Sequence, residues 1–313
     1  MRYFNIISRI LKATILVPFS ILEESLKFFI PTIFLRKSVE NKIILITGAG
    51  SGLGAALAIS FAKLKSKLVL LDISEVGLKR TSNECEKHQS HTSIFIFQID
   101  ITNRMEVFKL SEKIKNDIGI VDILVNNAGV VSGKSLLELD EDMVHKTFNV
   151  NVISHIWIIQ AFLPDMLLRN SGQIVSLASL AGLFGVNKLS DYCASKFAAV
   201  GLQESLLNEL RMLKKNGIHL LTVCPFYIDT GMFEGVKSDF PFLPILQVDY
   251  VTSKITDAIL TNSQVLYIPR IAYFMAILKY MLPVKGYLHL SDMVGSNRCM
   301  NDFYGRTARM KTA

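Results

Sequence analysis

Tryptophan is almost missing from these 313 residues: Trp157 is the only one. Cysteine is scarce, and Cys85, Cys193, Cys224 and Cys299 stand too far apart for metal-ligand spacing. They read as free buried thiols in a reducing compartment, and no metal is expected. Charge is thin as well, with 19% of residues charged, and the net +7 comes from no single basic block. That argues against a nucleic-acid footprint and suits an anionic membrane surface. Low-complexity tracts and internal repeats are also lacking. Apolar residues, by contrast, are abundant. Half the chain is hydrophobic and its mean hydropathy is +0.36, which implies a sizeable core plus apolar surface for a membrane.

The length fits one large domain with appendages, divided here into 1–40, 41–270 and 271–313. Residues 10–34 are largely apolar, but Lys12, Glu23, Glu24 and Lys27 interrupt them, and Pro18 and Pro31 should break them. The cleanest stretch, 13–22, is short of the roughly 20 residues that a straight span needs. Basic residues flank it: Arg2, Arg9 and Lys12 before, Arg36 and Lys37 after. A cleaved signal peptide, a distorted span, a helix packed on the protein's own core and a monotopic anchor compete. The monotopic anchor, with basic residues reaching to headgroups, is the expectation.

From residue 42 the texture changes to short apolar runs rich in β-branched residues, each followed by helix-forming sequence. That alternation predicts buried parallel strands. They are placed at 42–47, 67–71, 93–99, 121–125, 173–177, 219–224 and 265–268. The first runs into Gly48-Ala-Gly-Ser-Gly52-Leu-Gly54 and then an Ala/Leu-rich helix. Strand, glycine turn and helix together let backbone approach a pyrophosphate at the positive end of the helix. Asp72 ends the second run, where an acid grips the adenosine ribose and repels a 2′-phosphate. With Ser51, not a basic residue, in the glycine turn, this favours NAD. Asn126-Asn127-Ala128-Gly129 follows the fourth run; its small residues admit adenine and ribose, while an asparagine amide there can tie neighbouring strands.

Tyr192 and Lys196 are four apart, on one face of a helix expected over 190–213. An ammonium beside a phenol favours the phenolate. Ser179, thirteen residues earlier, could offer a hydroxyl to the same substrate oxygen. Asn151 lies in a long amphipathic helical region over 143–168.

These elements, in this order, resemble the short-chain dehydrogenase/reductase family: Thr47–Gly54, Asn126–Gly129, Asn151, Ser179 and Tyr192-x-x-x-Lys196. The resemblance covers about residues 40–270. It implies an α/β fold, a Rossmann-type doubly wound parallel sheet of about seven strands, here with an N-terminal apolar membrane anchor. It implies a catalytic set of Asn151, Ser179, Tyr192 and Lys196, with Ser179 and Tyr192 also meeting substrate. Cofactor contacts carried over are Gly48, Ser51, Gly52, Leu53, Gly54, Asp72, Asp100, Ile101, Asn126 and Ala128. Tyr192, Lys196, Ile228 and Thr230 complete them. Asn151 is expected to position a water linking Lys196 to solvent. In the family, the helix carrying Tyr192 and the preceding long one commonly form a dimer interface, so a homodimer is a possible state.

Phe226 departs from the family's usual Pro-Gly. However, Asp191–Ala199, Val223–Phe226, Thr230–Gly235 and the N-terminal apolar segment are similar to a group of retinol and 17-beta-hydroxysteroid dehydrogenases. That group belongs to endoplasmic reticulum and lipid droplets, and Pro-Phe is normal there. The 231–248 loop is strongly apolar and should wall a pocket for a lipid-like alcohol. An apolar helix over 271–282 should be a second membrane-facing patch or a cover for the cleft. The tail after Ser291 shows no periodicity. The expected activity is NAD-dependent oxidation of an apolar alcohol, at an endoplasmic reticulum membrane or lipid droplet, with the catalytic domain facing the cytosol. NADPH-dependent carbonyl reduction and a cofactor-binding scaffold with little catalysis are the alternatives.

Overall fold

The computed structural model describes residues 2–29, 32–88 and 94–305. The chain divides into two compact units between Ser38 and Val39. The first holds α1 (Arg2–Phe29). Contrary to the expected break, this helix runs through Pro18. A proline inside a helix removes a single backbone bond, and the flanking turns keep theirs. Hydroxyls add bonds on either side: Thr14 Oγ1 donates to Ile10 O and Ser20 Oγ to Leu16 O, both at 2.9 Å. Pro31 lies outside the described residues.

The second unit is a seven-stranded parallel sheet. Its strands are β1 (Ile43–Thr47), β2 (Lys67–Asp72), β3 (Ile94–Gln98), β4 (Ile123–Asn126), β5 (Gly172–Leu177), β6 (Ile218–Pro225) and β7 (Val265–Ile268). The order β3-β2-β1-β4-β5-β6-β7 reverses direction between β1 and β4. Each run expected from the sequence forms a strand within two residues of its expected ends; Ser93 lies outside the described residues.

Parity decides which side chains go where, because successive residues of a strand face opposite ways. Ile44, Ile46, Leu68 and Leu70 pack with Leu57 and Phe61 of α2 (Gly52–Lys63) and Ile255 and Ile259 of α8 (Val248–Leu260). Leu45, Val69, Leu71 and Leu124 face the other layer. There they meet Ile114 of α4 (Arg104–Asp117), Ile158 and Phe162 of α6 (Ser154–Arg169) and Leu206 of α7 (Ser190–Met212). Both sheet faces are covered, so the strands are apolar throughout. α3 (Glu75–Glu86) follows β2, and Ser74 caps it by accepting from Gly77 N at 3.1 Å.

The long helical region expected over 143–168 is not one regular helix. It is α5 (Glu141–Phe148), a π-helical turn over Asn149–Ile153, and then α6. By length and composition, Glu141–Arg169 could cross a membrane. In this fold, though, it buries Thr147, Asn151, Ser154 and His155. After β7 come α9 (Ile271–Met281) and α10 (Val284–Met293). The stretch after Ser291 is ordered against the 231–248 loop: Lys237 N donates to Cys299 O, and Tyr304 N and Gly305 N donate to Glu234 O, all at 3.1 Å.

β1 and β4 are joined at their carboxyl ends by one hydroxyl. Thr47 Oγ1 accepts from Asn127 N at 3.0 Å and Ala128 N at 3.1 Å. Thr47→Val keeps the shape and leaves both half-buried amides without this acceptor. It should cost about 1–3 kcal/mol in denaturant unfolding; a loss within about 0.5 kcal/mol would mean this joint does not hold the sheet edge.

Candidate active site

The glycine turn is shaped by close backbone approach. Gly48 and Gly52 have φ of 65° and 55°. A Cβ on Gly54 would lie 2.2 Å from Gly48 O, and one on Gly48 would lie 2.9 Å from Ala128 Cα. Ser51, at the N-cap of α2, makes no side-chain capping bond, and Gly52 and Leu53 of the first turn line the cavity above the sheet. Asp72 is held from two sides: Oδ2 accepts from Gly50 N and Oδ1 from Ser74 N, both at 2.8 Å. Asp100 turns the chain after β3 in the same way, Oδ1 accepting from Thr102 N at 2.9 Å and Thr102 Oγ1 at 2.8 Å.

These groups wall a cavity of about 940 Å³ along the carboxyl edge of the sheet. Gly48, Ser51, Gly52, Leu53, Asp72, Asp100, Ile101 and Ala128 line it at one end. Ser179, Tyr192, Lys196, Ile228 and Thr230 line it at the other. A helix N-terminus, a backbone cradle that a Cβ would fill, and a carboxylate beyond the second strand are the donors and acceptors a dinucleotide needs. Gly54, Asn126 and Asn151 do not reach the wall. Asn126 is fully buried, with Nδ2 3.5 Å from His155 O. Its neighbour Asn127 lines the cavity instead, and its Nδ2 donates to Thr47 O at 2.9 Å.

The far end holds a buried phenol and a buried ammonium, Tyr192 and Lys196. Ser179 leaves β5 in extended conformation and opens a short 3₁₀ turn, with Oγ accepting from Ala181 N at 3.1 Å. Tyr192 lies in the first turn of α7, 5% exposed, and Lys196 follows one turn later at 3%. Lys196 Nζ donates to Leu177 O at 2.8 Å and sits 5.6 Å from the centroid of the Tyr192 ring. Burial pushes the Tyr192 phenol well above its ordinary range, and the hydrogen bond from Ser179 pulls the other way. Burial also brings the Lys196 ammonium down to about 8. Desolvation is the largest influence on the phenol, and a phenolate there calls for positive charge close by.

The π-helical turn sets Asn151 behind this pair. Its Oδ1 accepts from Val130 N at 2.8 Å, and its Nδ2 donates to Val130 O and Ser195 Oγ, each at 3.0 Å. Ser195 Oγ in turn donates to Tyr192 O at 2.7 Å. A Cβ on Gly129 would stand 3.4 Å from Asn151 Oδ1 and 3.6 Å from Lys196 Nζ, so both converge on that glycine. Asp191, the first residue of the Asp191–Ala199 stretch and given no site role from the sequence, is buried beside Tyr192. It accepts from Ser132 Oγ and Thr147 Oγ1, each at 2.7 Å, tying the start of α7 to α5.

A second, narrower cavity of about 70 Å³ opens from Ser179 and Tyr192 away from the glycine turn. Phe184, Tyr227, Phe233 and Leu243 wall it, and Met275 of α9 and Leu290 of α10 close it. Ser179, Tyr192, Phe226 and Phe233 face both cavities. From the 231–248 loop, Phe233 and Leu243 reach this cavity, Leu246 belongs to the core and Phe242 is exposed. The apolar helix expected over 271–282 stops short of α10, whose Leu290 is on this wall.

His155 is fully buried below the site, with Nε2 3.2 Å from Ala128 O. Burial, then the Lys196 charge, brings its pKa from 6.5 down to about 4. The unfolded chain therefore takes up this proton first as pH falls. Stability is full above about 6.5 and is lost toward 4, by about 2 kcal/mol at pH 5. Urea midpoints of wild type should drop between pH 7 and 5 more than those of His155→Gln; equal slopes would remove His155 as the source.

Comparison with known proteins agrees with this geometry. The family model described as short chain dehydrogenase matches residues 42–240. Epidermal retinol dehydrogenase 2 of Homo sapiens is 42% identical over 293 residues, 93% of this chain and 94% of that protein. 17-beta-hydroxysteroid dehydrogenase 13 of Rattus norvegicus is 40% identical over 279 residues, 89% and 91% of the two chains. A short-chain dehydrogenase/reductase from Burkholderia phymatum, solved in complex with NAD, superposes with a TM-score of 0.70 at 28% identity. It covers 78% of this chain and 95% of its own. A match over most of the sheet, together with relatives similar along nearly their whole length, means that the chain belongs to the short-chain dehydrogenase/reductase family.

Proposed function

We propose that this chain is a membrane-associated oxidoreductase that oxidises an apolar alcohol with NAD, using Tyr192 as general base. The observation that carries this reading is the position of Ser179 and Tyr192 on the shared wall of a dinucleotide-sized cavity and an apolar one. The names of the relatives, retinol and 17-beta-hydroxysteroid dehydrogenases, support an alcohol of lipid character.

When bound, a nicotinamide cofactor supplies the acceptor for the carbinol hydride and, in its oxidised form, a positive charge near the phenol. Ser179 Oγ holds the substrate oxygen, and Tyr192 Oη takes the hydroxyl proton. Lys196 keeps two N–H donors beyond the one on Leu177 O, enough for a ribose hydroxyl and a water. Both amide hydrogens of Asn151 are engaged, so Oδ1 is its side chain's remaining acceptor for that water. Asp72 takes the adenosine ribose hydroxyls and gives the NAD preference.

Tyr192→Phe keeps the ring and loses the proton acceptor. It should lower kcat for retinol or a 17β-hydroxysteroid with NAD by at least about 10³-fold, with NADH binding by fluorescence retained. Turnover near the wild-type rate would sink the assignment.

We place the protein on the cytosolic side of endoplasmic reticulum membrane or lipid droplets, with 1–40 as the anchoring segment, 41–270 as the dehydrogenase domain and 271–313 as an apolar helix and tail. α1 exposes Ile6, Ile10, Leu16, Val17 and Phe19 to solvent, and α9 exposes Phe274, Ile277, Tyr280 and Met281. Surfaces this apolar favour a lipid boundary. Deleting residues 1–35 should move the protein from the membrane pellet to the supernatant on flotation. Full retention would transfer the anchoring to 271–282.

A further inference from the structure

The adenosine end of the large cavity holds a cation that the preceding reading does not use. Gly77, in the first turn of α3, packs so tightly on the glycine turn that a Cβ there would lie 2.6 Å from Gly50 O. That approach fixes α3 against the cavity. One turn further on, Arg80 reaches back to the same loop, with Nη2 donating to Gly50 O at 3.1 Å. Arg80 lines the cavity together with Asp72, Ser74 and Gly77.

Charge on this wall is unevenly matched. Each Asp72 oxygen already accepts a backbone N–H, one from Gly50 and one from Ser74. Arg80 has five N–H donors and spends one on Gly50 O. Among the described residues, no carboxylate pairs with it. Arg80 is thus an exposed cation at the rim of the adenosine region, tethered by one bond, with a fork of donors suited to a phosphate. The pyrophosphate is served elsewhere, at the N-terminus of α2. The remaining anion that a nicotinamide dinucleotide can present at this end is a 2′-phosphate on the adenosine ribose.

We propose that Arg80 is a specificity-determining residue that offsets the Asp72 carboxylate and lets this chain accept the 2′-phosphorylated cofactor beside NAD. The inference rests on the cofactor reading above and refines it. Asp72 sets the preference for the unphosphorylated dinucleotide, and Arg80 limits how strong that preference is.

The test is direct binding to the full chain, by quenching of protein fluorescence with NADH and NADPH. Wild type should bind NADH more tightly and NADPH measurably. The ratio of the NADPH to the NADH Kd should rise at least tenfold in Arg80→Ala and further in Arg80→Glu, with Arg80→Lys between wild type and Ala. A measurement on wild type alone guards against variants that fail to fold. NADPH affinity should weaken with added salt more steeply than NADH affinity. If the ratio stays within about twofold across the variants, or both affinities fall in parallel as they would if Arg80 stacked on adenine, the proposal is overturned. Equal salt slopes count against it in the same way. NADH binding without any NADPH binding refutes the inference and leaves the NAD reading standing; loss of both in wild type refutes both.

Discussion

The site depends on how closely the backbone after β1 approaches its neighbours. There is no room for a Cβ on Gly54 against Gly48 O, nor on Gly48 against Ala128. This contact brings together the end of β1, the end of β4 and the start of α2, at the reversal of strand order where an open α/β sheet leaves a crevice. The Thr47 hydroxyl and the Asn127 amide then lock the two strand ends. A second close approach, Gly77 on Gly50, carries the same constraint outward to α3. Relaxing the first contact would displace the phosphate-facing amides and the adenosine wall together.

Burial governs the proton chemistry at the other end. It moves the Tyr192 phenol up and the Lys196 ammonium down, so each group is pressed toward its neutral form. Opposite charge brought into the same low-dielectric space would favour the phenolate, because Coulomb terms are larger there than in water. The polar groups behind it are held in position: Asp191 accepts from two hydroxyls, and Asn151 bonds Val130 and Ser195.

The layered sheet was legible because its signals are local. Apolar β-branched runs, a glycine turn and helix-forming stretches each announce themselves within a dozen residues. What escaped depends on geometry across the chain. Asn126 and Asn127 are adjacent in an extended segment and must face opposite ways, but composition does not say which faces the cavity. One extra residue in the turn at Asn149–Ile153 leaves the helical pattern almost intact while rotating Asn151 inward. α3 is polar along most of its length, so nothing in its pattern marks Arg80 as a residue of the cavity wall. The tail after Ser291 lacked periodicity because it docks as an irregular cover, burying Cys299 and Met300.

The same geometry separates reaction from selection. Ser179 stands in the turn just after β5, and Tyr192 and Lys196 on α7, next to the sheet and its covering layer. The walls that would meet the rest of an alcohol come from Phe226–Leu243, α9 and α10, which lie outside the sheet. Apolar walls rank similar apolar molecules weakly, by about 1–3 kcal/mol per methylene at most. On the proposed function, substitutions along α9 and α10 would change which apolar alcohol is preferred while Ser179 and Tyr192 meet the same hydroxyl. Lys279 links the two parts. Its ammonium donates to Leu183 O, just past the Ser179 turn, and lies 4.9 Å from the Phe197 ring of α7. Through it, the position of α9 is coupled to the loop that aims Ser179, so a change in the outer wall reaches the chemistry by that contact.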